Sequence, residues 1–295
     1  CDLVSDMVLE FPELQGITGA HYAKHDGEAE LVASIIEEHY WPKYSGDTLP
    51  STPEAMTVAL ADRIDTLVGI FGIGEIPSGS KDPFALRRAS LAVIRMALDS
   101  ARDMPIRTLL SAGSEQFDTD QIANETVENV TAYLLDRLPA HYEESGIGVD
   151  VLRAALETGS DTFGDIEDRL FALVDFMGSE LAESLAAANK RVANILAKSD
   201  AELGSIDLSL LTENAEKRLV QALQSVSEDI VTACSTGRFA SALEQLASLR
   251  DPIDDFFDQV MVNADDPALK RNRLTILKQL REQFLMVADL AVLAR

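Results

Sequence analysis

The chain has 295 residues, enough for two domains that each bury a core, and its apolar share of 46% and charged share of 25% are ordinary for a globular protein. Its 50 acidic against 25 basic side chains give a net charge of −25, which counts against nucleic-acid binding by simple electrostatics; an RNA partner has to find local clusters of cations. Only Cys1 and Cys234 are present, which excludes a disulfide framework and a zinc-type cysteine cluster and fits a reducing, cytoplasmic setting.

The N-terminal "CDLVSDMVLEF" starts inside an amphipathic pattern without an initiator Met, so the chain reads as a piece of a longer protein. The hydrophobic period is helical nearly throughout, Leu and Ala dominate, and no alternating strand pattern is convincing. His21 and His25 fall in an expected loop. Thr52-Pro53 reads as an N-cap and first helical residue, followed by Met56, Leu60, Ile64, Leu67 and Phe71 on one face. Asp82, again followed by Pro, is expected to cap the next helix, with Phe84, Leu91, Ile94 and Leu98 inward. Loops rich in Gly, Ser and Asp divide the chain near Gly113 and Gly159 into a front block, 1–112, a linking helix pair, 113–160, and a back block, 161–295. Asp265-Asp266-Pro267 opens a last long helix with Leu277, Leu280, Phe284 and Val287 inward and Lys278 and Arg281 outward. The apolar stretch "FLMVADLAVLA" is too short for a membrane span and carries Asp289.

Between Gly74 and Arg88, "GEIPSGSKDPFALRR" has two glycines with four residues between them and then Ser-Lys, close to a phosphate-cradling loop. A true P-loop follows a strand and places Lys directly after the second Gly; here Ser80 precedes Lys81 and a helix precedes the loop. Gly72, Gly74 and Gly79 read as backbone freedom for a connection. Lys81, Arg87 and Arg88 stand near a helix N-terminus and are candidates for contacting a phosphate or a partner's carboxylates, against a solvated face.

"LVSDMVLEF" and "ALADRIDTL" resemble conserved helices of HD-domain phosphohydrolases, where a His-Asp pair and a distant Asp hold a divalent metal that activates water. By that likeness Asp6 and Asp62 stand at the two Asp positions and His39 at an accessory one. Ser5 occupies the His position, and a hydroxyl is a poor substitute for imidazole, so the metal site is read as degenerate. A metal-dependent phosphohydrolase is the alternative function.

Four longer stretches, "DMVLEFPELQGITGAHYA", "ALADRIDTLVGIFGIGEIPSGSKDPFALRRASL", "ANKRVANIL" and "LRDPIDDFFDQVMVNADDPALKRNRLTIL", resemble in order the beta subunit of bacterial two-subunit glycyl-tRNA synthetase. The resemblance implies an all-α chain: an HD-like helical domain, then a helical-bundle anticodon-binding domain similar to that of arginyl-tRNA synthetase. It implies tRNA(Gly) and the alpha subunit as partners, with ATP and Mg2+ used by the complete enzyme at an alpha-subunit active site. No cofactor in this part, no catalytic residue, no DNA and no membrane are expected.

Candidate RNA contacts are then the local cations. Lys190, Arg191 and Asn194 lie on successive turns, Lys190 and Asn194 sharing a face. Arg238 follows Gly237 before a helix, and Lys270, Arg271 and Arg273 open the last one. Cations position a phosphate backbone, whereas reading bases needs stacking or edge hydrogen bonds. Phe239, Phe256 and Phe257 are the aromatics at hand, although helical spacing favours a core role. The competing reading is a solvated face, with Arg271 and Arg273 pairing to acids of the preceding helix. A helical scaffold that meets only proteins is a third reading of the chain.

Overall fold

The computed structural model describes residues 2–77, 82–118, 122–142, 145–199 and 203–294. Cys1, Gly79 and Lys81 lie outside them. The described residues are all-α and contain no strand. The chain splits into two compact units, Cys1–Glu144 with Asp161–Gly164, and Ser145–Ser160 with Asp165–Arg295. Of the two helices expected to link blocks, one belongs to each unit.

The first unit holds α1 (Asp6–Glu10), α2 (Ile17–His25), α3 (Glu30–Glu38), α4 (Pro53–Gly72), α5 (Leu86–Ser100), α6 (Ile106–Ser114) and α7 (Thr126–Tyr142). Helix α4 starts at Pro53 because the Thr52 hydroxyl accepts from the Ala55 amide at 3.2 Å. Its buried face, Met56, Leu60, Ile64, Leu67 and Phe71 among it, is the expected one, and α3, α5, α6 and α7 pack against α4. Gly72 serves a different purpose from the one read in the sequence. It is helical, and a Cβ there would lie 2.2 Å from Ile122 Cγ2, so its role is close approach. Gly74, with φ of +84°, does need glycine's conformational freedom.

Helix α5 begins later than expected. The Asp82 carboxylate does cap it, accepting from Leu86 N at 2.8 Å and Arg87 N at 3.0 Å, but across an intervening turn closed by Ala85 N to Asp82 O. Pro83 is therefore outside the helix and Phe84 is exposed instead of inward; Leu86, Val93, Ile94, Met96 and Ala97 form the buried face, with Leu91 and Leu98 half-buried.

His21 and His25 lie on α2, not in a loop. The cap that makes this helix is remote in sequence: the buried Asp2 carboxylate accepts from Gly16 N at 2.7 Å, Gly19 N at 2.9 Å and the Tyr40 hydroxyl at 3.0 Å. Gly19 must be glycine for this approach, since a Cβ would meet Asp2 Cβ at 2.8 Å and Ile36 Cγ2 at 2.7 Å. Burial pushes the Asp2 carboxyl up, but the bonds from Gly19, Gly16 and Tyr40 outweigh it and hold the pKa below the ordinary carboxylate value. Burial and the same carboxylate push the Tyr40 phenol up to about 12. The end of α3 is tied to α4 by buried Arg63, which donates to the carbonyls of His39 at 2.7 Å and Tyr40 at 2.8 Å.

The second unit holds α8 (Val149–Leu156), most of α9 (Phe163–Met177), α10 (Ala182–Leu196), α11 (Asn214–Ser235), α12 (Phe239–Ala247), α13 (Arg250–Gln259) and α14 (Pro267–Leu285). One apolar core joins them, with Leu219, Ile230, Phe239, Phe256, Leu277, Leu280, Phe284 and Val287 fully buried. Asp266 caps α14 by accepting from Ala268 N at 2.7 Å, and Pro267 takes the first position. Arg281 is not turned outward as its spacing suggested: it forms a two-pronged ion pair with Asp289 and reaches Asn189 Oδ1 at 3.4 Å. The buried Arg273 meets Glu216 of α11 at 2.5 Å, the Met261 carbonyl at 2.9 Å and the Thr212 hydroxyl at 3.3 Å.

Two stability predictions follow from the buried charges. Because the folded pKa of Asp2 is depressed, its stabilisation is present above the unfolded carboxylate pKa and lost as pH falls through the folded one. Asp2→Asn should cost about 1–2 kcal/mol near neutrality, and the gap to the parent should narrow below about pH 4; denaturant titrations across pH showing a constant gap would refute this. Glu216→Gln keeps a capping-box residue at the third position of α11 but strands the Arg273 charge. A loss of about 3 kcal/mol is expected in the same titrations, with much of it recovered in Glu216→Gln/Arg273→Met.

Candidate nucleic-acid interface

Helix α10 turns Leu185, Ala186, Asn189 and Val192 into the core. Helical periodicity then sends residues 187, 190, 191, 194 and 198 to the opposite side. There they form one wall of a groove of about 660 Å³ completed by Asn263, Lys270 and Leu274, with the carbonyl-bearing tail residue Ala294 at its rim. Lys190, Arg191, Lys198 and Lys270 all line it, all are exposed, and no carboxylate is among the described lining residues. Against 50 acidic side chains in the whole sequence, this is a local reversal of sign.

Two of the cations, Lys190 and Arg191, are held in place. Lys190 Nζ donates to the Ala294 carbonyl at 2.7 Å. The Arg191 guanidinium lies over the Phe257 ring, with Cζ 4.0 Å from its centroid, a cation–π contact that restrains the side chain. Lys198 follows the C-terminus of α10, where the helix dipole favours a cation. Lys270 stands on the first turn of α14, exposed, while one turn on Arg273 locks that helix to α11.

Of the candidates read from the sequence, the structure thus brings Lys190, Arg191, Asn194 and Lys270 together on one groove. Arg271 lines a different groove, of about 720 Å³, beside Asp207 and Asn272. Arg238 is exposed at the start of α12, its Nε donating to the Thr236 hydroxyl at 2.9 Å, and is not in either groove. Arg273 has to be withdrawn from the RNA-facing set: only 6% exposed, it spends its donors on Glu216, Met261 and Thr212, which also corrects the expected pairing with the preceding helix. Phe239 and Phe256 are core residues, and Phe257 is half-buried beneath Arg191. Sequence reading missed Lys198 and Asn263. Lys198 continues the stripe of 190 and 194 by one more turn, which was legible; Asn263 sits between α13 and α14 and carries no local signal.

In the first unit, the positions likened to a metal site hold other roles. The Ser5 hydroxyl accepts from Val8 N at 3.3 Å and caps α1, whose first residue Asp6 is exposed. Asp62 is exposed beside Arg63 at 3.6 Å. His39 is buried, which lowers its pKa, and its Nδ1 lies 2.9 Å from the Ile36 carbonyl and 3.2 Å from that of Ile35. Among the described residues no three His, Cys, Asp or Glu side chains gather as metal ligands. Cys234 is a free, half-buried thiol whose pKa burial raises. Arg87 is half-buried, with its amide on Asp82, whereas Arg88 is exposed.

Residues 185–289, which span α10 to α14 and hence the walls of the groove, match the DALR anticodon binding domain, so this part is a domain of the anticodon-binding class. Residues 1–157 match the glycyl-tRNA synthetase beta subunit family. The chain belongs to that family. It is 48% identical over 297 residues to the glycine--tRNA ligase beta subunit of Vibrio cholerae and to that of Vibrio atlanticus, and 47% identical over 301 residues to that of Vibrio vulnificus. All of this chain is covered in each case, and it spans 43% of the length of these relatives.

Prolonged chelation of divalent metals should leave the melting temperature of the protein unchanged; a fall reversed by manganese, iron or zinc would restore a metal-holding role to Asp6, His39 and Asp62.

Proposed function

We propose that this chain is the tRNA-holding part of a glycine--tRNA ligase beta subunit, which grips tRNA(Gly) through the basic groove of the second unit while glycine activation takes place on the alpha subunit. The complete enzyme is a cytoplasmic ligase that uses ATP and Mg2+, and this part contributes no catalytic group. The observation that carries the reading is a groove with four cations and no carboxylate among its described lining residues, on a domain matching an anticodon-binding family, in a chain of net charge −25.

The groove's chemistry suits RNA in two ways. Lys190, Lys198 and Lys270 are point charges for phosphates, while Arg191, held over the Phe257 ring, offers a guanidinium on which a splayed base can stack. Asn194 and Asn263 supply both donors and acceptors for base edges. Arg238 and Arg271 are assigned secondary phosphate contacts outside this groove. Residues 1–112 are assigned an HD-like scaffold, 113–160 linking helices, and 161–295 the anticodon-binding-like part. No observation favours the phosphohydrolase alternative, since Ser5 stands where the His belongs. No described helix is long and apolar enough to cross a membrane, and neither a membrane nor DNA is a proposed partner.

Charge reversal decides the matter. Lys190→Glu/Arg191→Glu should weaken tRNA binding at least tenfold and flatten the dependence of log affinity on log salt by about 1–2, the slope expected for one or two phosphate contacts. In the complete enzyme, aminoacylation should fall while glycyl-adenylate formation is retained. Unchanged binding and charging would remove the groove from the tRNA interface.

A further inference from the structure

The first unit carries a second site of reversed sign, built from elements that have no part in the groove of α10. A pocket of about 290 Å³ is enclosed by the loop after Trp41-Pro42, by one face of α5 and by the end of α7. Lys43, Tyr44 and Ser45 come from the loop, Arg88 and Arg95 from α5, and His141 from α7. Arg88 and Arg95 are seven positions apart, two helical turns, which places both on the same side of α5.

As in the α10 groove, no carboxylate is among the described lining residues. Asp47, the only acid of the loop, turns its carboxylate back on the loop's own amides, accepting from Lys43 N at 2.7 Å and Thr48 N at 3.0 Å. Arg95 donates through Nη2 to the Asp47 carbonyl at 2.6 Å, and its buried Nη1 has no hydrogen-bond partner. Neither Lys43, Arg88 nor Arg95 has a carboxylate partner among the described residues. A guanidinium half-withdrawn from water with no counter-charge is an unfavourable arrangement by itself, and an anion in the pocket would offset it.

We propose that this pocket binds a phosphate group. Lys43, Arg88 and Arg95 supply the charge and the loop hydroxyls of Tyr44 and Ser45 the neutral donors, in a volume with room for a phosphate and part of the molecule that carries it. A phosphate on RNA and a free phosphate share this chemistry. The assignment does not rest on the α10 groove, whose residues belong to the other unit.

The test is calorimetric titration of the whole 295-residue chain with inorganic phosphate and, separately, with a short single-stranded RNA. Arg88→Glu and Lys43→Glu alter exposed side chains that make no cap or ion pair among the described residues, so both variants should melt with the parent. Each should weaken at least one of the two ligands about tenfold, the equivalent of one charge-assisted contact. Lys270→Glu, in the other groove, should leave phosphate binding intact. Loss for both ligands assigns the pocket to phosphate in any form, and loss for RNA alone assigns it to a backbone phosphodiester. If neither variant changes the binding of either ligand, or if phosphate binds without saturation, the proposal is overturned, whatever Lys270→Glu does.

Discussion

The buried ion pair between Arg273 and Glu216 is the contact on which the candidate RNA surface depends. Glu216 stands at the third position of α11, where its other oxygen accepts from the Glu213 amide at 2.8 Å, so one carboxylate both starts that helix and seizes α14. Arg273 adds the Met261 carbonyl, which fixes the approach to α14, and its neighbour Asn272 exchanges two hydrogen bonds with the backbone of Asp207. With the start of α14 held on both sides, the backbone that carries Lys270 one turn earlier is fixed. Such a pair is a poor source of net stability, because removing two charges from water costs about what their attraction returns; its value lies in the register it imposes.

The excess of acids over bases gives the rest of the architecture its logic. Beside exposed cations such as Lys24, Arg107 and Arg218 that pair with surface carboxylates, two contrasting sets stand out. Arg63, Arg169, Arg273 and Arg281 are drawn inward and spend their donors on carbonyls and single carboxylates that join helices. Lys190, Arg191, Lys198 and Lys270, and again Lys43 and Arg88, line hollows with no carboxylate among their described lining residues. A bulk charge of −25 therefore says little about any one face, since the field of exposed charges decays over about 10 Å at moderate salt. The same background discourages polyanions from binding anywhere else.

Local signals in the sequence were reliable where cause and effect lie within one turn. Thr52, Asp266 and their prolines mark helix starts because a side chain caps amides two or three residues on. The stripes of α4 and α14 were legible for the same reason. What escaped was set by partners far along the chain. Asp2 caps α2 from 14 residues away, so His21 and His25 looked like loop. Arg273 and Arg281 had the spacing of exposed residues but found Glu216 and Asp289. Of the basic groove, the α10 stripe and Lys270 could be read as candidates, because residue type and helical period were enough. Their meeting on one groove could not, because it depends on how α10, α13 and α14 pack.

The lysine at the rim of that groove is bonded to a main-chain oxygen, not to a side chain. A carbonyl is supplied by every amino acid, so position 294 can drift through alanine, serine or valine over evolutionary time without disturbing the ammonium. What selection sees there is the course of the polypeptide, which insulates the groove wall from neutral change in the residue that borders it.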